Sequence, residues 1–186
     1  MEHMRHRSQA TQSKYRSGVT LLEMMIVLGL VAILASITTA YNKGIERQIV
    51  IVREQATVLG MLVKARSAGL AIPKGEPGEV VCGFGVSIDT VNRTLVYFKD
   101  LGTAPADCTT ADRQYTGAGE KIEQRILSSD VTMASEMSNI VFVPPFGTVF
   151  IDGTDVKKSA IITITSAAAG MTKQVKVNSF GQITES

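Results

Sequence analysis

The alternation of apolar and polar positions divides the chain into stretches with different periods. From Val19 to Tyr41 nearly every residue is apolar, and Glu23 is the one charge. A run of this length predicts a helix able to cross the hydrocarbon core of a bilayer. Over residues 42–72 apolar positions recur at helical spacing instead. Ile45, Ile49, Val52, Ala56, Leu59 and Val63 stand 4-3-4-3-4 apart. That spacing predicts one apolar face, widened by Val50, Ile51, Val58 and Leu62, on a helix packed against a sheet. Glu46, Arg47, Arg53, Glu54, Lys64 and Arg66 occupy the remainder. No proline falls between Val19 and Ile72, so one helix from about Thr20 to Leu70 is predicted, with Gly69 and Pro73 as its stop signals. Gly29, Gly44 and Gly60 are read as packed or tolerated glycines, not hinges.

Beyond Pro73 the period falls to two. Short β-branched runs follow at 80–88, 94–99, 121–127, 131–134, 140–144, 148–151, 160–165 and 173–178. Turn-rich stretches such as DTVNR, PPFG, DGTD and SFGQ separate them. One long helix followed only by strands predicts an α+β chain, with an antiparallel β domain over residues 73–186. Residues 101–120 read as a surface loop.

Composition narrows the function classes. With 45% hydrophobic and 19% charged residues the chain is globular with a membrane segment, not disordered. The basic excess sits at the N-terminus, where Arg5, Arg7, Lys14 and Arg16 stand against Glu2. Positive charge held on the cytoplasmic side explains this better than nucleic-acid binding does. Both histidines, His3 and His6, lie in that tail. A chain that loses the tail has no imidazole for a triad, a zinc site or acid–base work. No Walker A loop is present, and Gly83-Phe84-Gly85 reads as strand glycines. Cys82 and Cys108 are the two cysteines. Outside the cytoplasm they are expected to pair, pinning the 101–120 loop to the strand bearing Cys82; two buried thiols are the alternative. Asp100, Asp107 and Asp112 flank that loop, but their spacing is not that of an EF-hand, and they read as solvated loop carboxylates. No metal or other cofactor is expected.

Glu23 asks for its own explanation. A charge at membrane depth costs about 2.5–3.5 kcal/mol on insertion scales. The apolar run is too long for a secretory signal peptide, and a plain anchor gives no use for a carboxylate. The stretch SG-VTLLEMMIVLGLVAILASI resembles the signal of type IV prepilins and type II secretion pseudopilins. In that family a basic leader ends in Gly, and a hydrophobic residue, Thr-Leu-(Leu/Ile)-Glu and an apolar helix follow. The resemblance implies that residues 1–18 are a leader removed after Gly18 by the prepilin peptidase, and that Val19 is the new N-terminus. It implies N-methylation of Val19, although the family's usual first residue is Phe or Met. It also implies that Glu23 pairs with an N-terminal ammonium when subunits assemble.

The same resemblance gives expectations for the whole chain. Residues 19–41 would be the transmembrane half of the helix and residues 42–72 its amphipathic half. Other pilin or pseudopilin subunits, the inner-membrane assembly platform and membrane lipid would be the partners. The protein would be a single-pass inner-membrane protein with its globular domain outside the cytoplasm, later built into a pilus or pseudopilus, and not an enzyme. The long helix, the sheets, FVPPFGTVFIDG and the terminal VKVNSFGQITES are similar to the GspH/FimT type of minor pseudopilin. The mid-chain position of the cysteines departs from the best-known pilins, whose pair closes a loop near the C-terminus. The alternative function is DNA binding by a minor pilin of an uptake system, through Lys157, Lys158, Lys173 and Lys176. Lysines without interleaved aromatics more often form a solvated face.

Overall fold

The computed structural model describes residues 19–71, 79–102, 108–109, 111–117, 119–154 and 159–186, with the backbone alone for 40–44. The chain forms two compact units that meet between Asn42 and Lys43. Helix α1, Leu21–Leu70, runs through both and continues past Gly29, Gly44 and Gly60. Thr20 caps its N-terminus: the Glu23 amide donates to Thr20 Oγ1 at 3.3 Å and the Met24 amide to Thr20 O at 3.1 Å.

In the first unit every side chain described between Leu21 and Thr39 is exposed. The second unit holds nine strands. These are β1 Val81–Asp89, β2 Thr94–Leu101, β3 Lys121–Ile126, β4 Thr132–Ser135, β5 Asn139–Val143, β6 Thr148–Ile151, β7 Ala160–Ser166, β8 Met171–Val177 and β9 Ile183–Glu185. They form two antiparallel sheets, ordered β3-β2-β1-β5-β6 and β4-β7-β8-β9. The predicted α+β class is borne out. Strand β9 was not anticipated. It is three residues long and mostly exposed, so no apolar alternation announces it. It forms because the turn at Asn178–Gly181 returns the chain to the edge of β8. There Asn178 Oδ1 accepts from the Phe180 and Gln182 amides, at 3.0 and 2.9 Å.

One core joins α1 to both sheets. Ile51, Val58, Leu62 and Ala65 meet Val86, Leu95, Tyr97, Ile140 and Phe142 from the first sheet, and Met133, Ile162, Ile164 and Val175 from the second. Ile51, Val58 and Leu62, expected as the margin of the packing face, are its centre, and Val50 and Leu59 pack partly buried beside them. The stripe through Ile45, Ile49, Val52, Ala56 and Val63 is exposed, Ile49 at 58% and Val52 at 51%. The buried spine is Ile51, Gln55, Val58, Leu62, Ala65 and Gly69, which has the same 4-3-4-3-4 spacing one residue out of phase. A shift of one residue turns a helix face by about 100°. Both faces are apolar enough to satisfy the period, and only the sheets select between them. Gln55 shows how the chosen face is completed: its Nε2 donates to Gln174 O on β8 at 3.2 Å.

Gly69 also has a different role from the one its type suggested. It lies inside α1, and a Cβ there would sit 2.7 Å from Phe142 Cβ and 2.7 Å from Phe142 O. It lets the helix approach β5 instead of ending the helix. Pro73 lies outside the described residues.

The first sheet is covered on its other face as well. Val96, Phe98 and Val141 form a second cluster with Tyr115, Val143 and Phe150. Tyr115, which stands between β2 and β3 in the chain, therefore lies over the sheet.

Candidate functional site: the N-terminal helix and the pinned β2–β3 segment

The apolar start of α1 is built to be surrounded. Leu21–Thr39 is 19 residues with mean hydropathy 2.4, and none of it is buried within the chain. At 1.5 Å per residue it spans about 28 Å, close to the thickness of a bilayer core. Its hydroxyls are self-satisfied. Ser36 Oγ donates to Ile33 O at 2.7 Å, Thr38 Oγ1 to Leu34 O at 2.6 Å and Thr39 Oγ1 to Ala35 O at 2.8 Å. Donors returned to the helix's own carbonyls need no water, which suits an apolar surrounding.

Glu23 stands in the first turn of this helix. Two local facts place it. Thr20 is the cap, and Glu23 is the third helical residue after it, so Thr20-x-x-Glu23 has the spacing of a capping box. The negative side chain also lies at the positive end of the helix dipole. That spacing is legible in the sequence, and the sequence reading did not use it. Val19 is exposed at 64% and precedes the helix. Gly18 lies outside the described residues.

The second feature is the segment after β2. Cys82 on β1 and Cys108 form a disulfide with Cα atoms 5.3 Å apart, closing a separation of 26 residues. Arg113 completes the attachment. Its Nη1 donates to Asp100 Oδ2 at 2.6 Å and to Cys82 O at 3.1 Å, and its Nη2 donates to Cys108 O at 3.0 Å. The guanidinium also stands 5.3 Å from the Phe150 ring centroid. Tyr115 packs on Phe98 with centroids 5.5 Å apart, and its amide donates to Asn139 Oδ1.

Asp100 differs most from its sequence reading. It is fully buried on β2, on the face shared with Val96 and Phe98, and not solvated. Its Oδ1 has no hydrogen-bond partner among the described residues. Burial pushes its carboxyl above the usual range. The hydrogen bond and charge of Arg113 pull it back, and the charges of Asp112 and Glu120 push it further up. Asp112 is exposed, and its Oδ1 accepts from the Gln114 amide at 3.0 Å. Glu120 is buried, and its Oε2 accepts from the Thr116 amide at 2.7 Å and the Thr116 hydroxyl at 3.0 Å. Asp100, Asp112 and Glu120 each bring a carboxylate oxygen within 4.8 Å of the others. Asp107 lies outside the described residues. Neither Glu120 nor Arg113 was singled out from sequence, because nothing local marks a residue that meets β2 only after the segment folds back.

The four lysines do not make one described surface. Lys173 and Lys176 are both on β8, three residues apart, so they point to opposite faces of the second sheet. Lys157 and Lys158 lie outside the described residues.

Comparison with known proteins adds three findings. No curated protein sequence matches the chain. The fold is similar to that of the minor pseudopilin EpsH from the type 2 secretion system of Vibrio cholerae, at 11% identity and a TM-score of 0.43, over 72% of this chain and 92% of that one. Residues 13–39 match the family described as the prokaryotic N-terminal methylation motif. That match covers the Gly18–Val19 junction, Glu23 and the apolar start of α1, so the chain carries a prokaryotic N-terminal methylation motif over these residues.

Proposed function

We propose that the protein is a prepilin-like structural subunit, without catalytic activity, that is built into a type IV pilus or a type II secretion pseudopilus. The observation that carries this reading is the methylation motif laid over an apolar helix that none of the described residues buries. Such a helix needs lipid before assembly and neighbouring helices after it. The prepilin peptidase cuts between Gly18 and Val19, where glycine leaves the backbone open to the protease. The new Val19 amine, methylated and still positive, becomes the partner of Glu23 on the same or an adjacent subunit. In a low-dielectric bundle a matched pair is strongly favoured over either charge alone. Glu23 thereby reports correct docking: a subunit out of place leaves a buried charge unmatched. The inner-membrane platform moves the subunit out of the bilayer, and the unit beginning at Lys43 remains outside the cytoplasm.

The mass of the native N-terminal peptide tests the reading. Processed protein begins at Val19, heavier by a methyl group where methylation has occurred. Filament-borne protein that still begins at Met1 would overturn the proposal, since it would lack the ammonium that Glu23 requires.

A further inference from the structure

We propose that two Phe-Gly turns, carrying Phe146 and Phe180, dock against the exposed apolar stripe of α1 in a second copy of the chain. The pattern is repeated in the sequence. Pro145-Phe146-Gly147 joins β5 to β6, and Ser179-Phe180-Gly181 joins β8 to β9. Both glycines take a left-handed φ, +67° at Gly147 and +73° at Gly181, so the chain reverses directly after each phenylalanine. The turns come from different sheets and meet where α1 ends. A Cβ on Gly181 would stand 3.2 Å from Gly147 O, and one on Gly147 would stand 2.9 Å from Leu70 Cδ2. Phe146 is 87% exposed, Phe180 86% and Leu70 49%. Single exposed apolar side chains are ordinary, but three at one place make a patch that marks a contact surface. The Phe180 turn is also held in shape. Besides the Asn178 side-chain bonds, the Gly181 amide donates to Asn178 O at 3.0 Å and the Asn178 amide to Gln182 O at 3.0 Å. An ordered turn loses little freedom on docking.

The same unit carries the complementary surface. Ile45, Ile49, Val52 and Ala56 line an open groove on the exposed side of α1, with Gln48 and Arg53 at its rim. An aliphatic floor accepts an aromatic ring, and the Arg53 guanidinium can stack on its face. A lipid surface suits the turns less well, because neither PPFGT nor NSFGQ holds a basic residue to meet headgroups. At 1.5 Å per residue about 30 Å of helix separates the middle of the stripe from Leu70, so a chain cannot cover its own stripe with its own turns. The contact is therefore heterologous, turns of one copy on the stripe of the next. Such contacts repeat from copy to copy and build open helical arrays unless the rotation closes them. Size sets the conditions. Two phenylalanines with Leu70 cover about 400–500 Å² a side, short of the roughly 800 Å² of a stable interface. The contact is populated where other contacts crowd the copies together. It rests on the filament reading for that crowding and not for its geometry.

Cysteine cross-linking provides the test, since both native cysteines are held in the Cys82–Cys108 disulfide. Gln48→Cys at the groove and Ser179→Cys beside Phe180 leave both rings in place. The full-length double variant is oxidised in sheared filaments and, separately, concentrated in detergent micelles. A ladder of dimers and higher species is expected from the double variant, and monomer from either single variant. Adding Phe146→Ser and Phe180→Ser, at exposed positions, should leave Tm unchanged and lower the cross-linked yield at least tenfold. A ladder in either setting that needs both cysteines and both rings supports the contact. Dimers from one single variant would reveal a symmetric contact and overturn it. So would a ladder that survives loss of both rings, or monomer alone in both settings. Sheared protein that still begins at Met1 would overturn the filament reading instead, and the micelle result would then decide the contact by itself.

Discussion

At the scale of single residues, two charges in unlike surroundings carry the most information. Arg113 and Asp100 form a pair whose acidic member is fully buried. Removing one partner of such a pair leaves an uncompensated charge, at a cost of about 3–5 kcal/mol. Arg113→Met should lose stability of that order in denaturant unfolding at neutral pH. The pH dependence has a definite sign. Asp100's pKa is raised in the folded state, so its contribution favours the fold at low pH and is lost as pH rises through the folded value. The deficit of Arg113→Met should therefore shrink as pH falls through the raised folded-state value, where the carboxyl takes up its proton. A deficit that stays constant with pH would show that Arg113 acts by packing alone. Glu23 poses the complementary question, because it has both the spacing of a capping box with Thr20 and a proposed role in assembly. Glu23→Gln keeps the capping-box geometry and removes the charge. We expect it to be processed normally and yet be scarce in sheared filaments. Incorporation at the wild-type level would overturn the proposed pairing of the Glu23 charge in assembly.

At the scale of elements, α1 has two apolar stripes and the sheets bury one of them. Leu62 is on the buried spine and Val52 on the exposed one. Leu62→Ala should cost about 2–5 kcal/mol, through lost burial and the cavity left behind. Val52→Ala should change stability by no more than about 0.5 kcal/mol, as exposed positions generally do. Comparable losses at the two sites, read from equilibrium unfolding, would reverse the assignment of faces. The strands were easier to recognise. Eight alternating runs were legible because alternation and turn residues are both local signals. Strand β9 carries neither, and its pairing to β8 depends on a turn that positions it. The glycines show the same division: Gly60 has open space around it, whereas Gly69 abuts Phe142 from a strand more than seventy residues later.

At the scale of the molecule, one helix serves two environments. Its first part offers apolar side chains to lipid or to other helices. Within the unit beginning at Lys43, its later part is the common wall on which both sheets pack. The disulfide closes a separation of 26 residues over the outer face of the first sheet. By the chain-entropy estimate, its loss in Cys82→Ala/Cys108→Ala should cost about 3 kcal/mol. That should appear as a lowered midpoint of denaturation. An unchanged midpoint would mean that Arg113, Tyr115 and the bonds of Glu120 already hold the segment unaided. The effect would fall on this unit, and the apolar segment before it has no share in that core.

The apolar run, the lone Glu23, the continuous helix and most strands follow from the sequence by itself, because length, period and turn chemistry are properties of neighbouring residues. The α+β class follows from their order. The helix face that is buried, the division of the strands into two sheets, the close approach at Gly69 and the burial of Asp100 beside Arg113 were decided only by the tertiary structure. Each depends on a partner distant along the chain. A local pattern states that a face is apolar, and the residue that covers it is found only when the chain folds back.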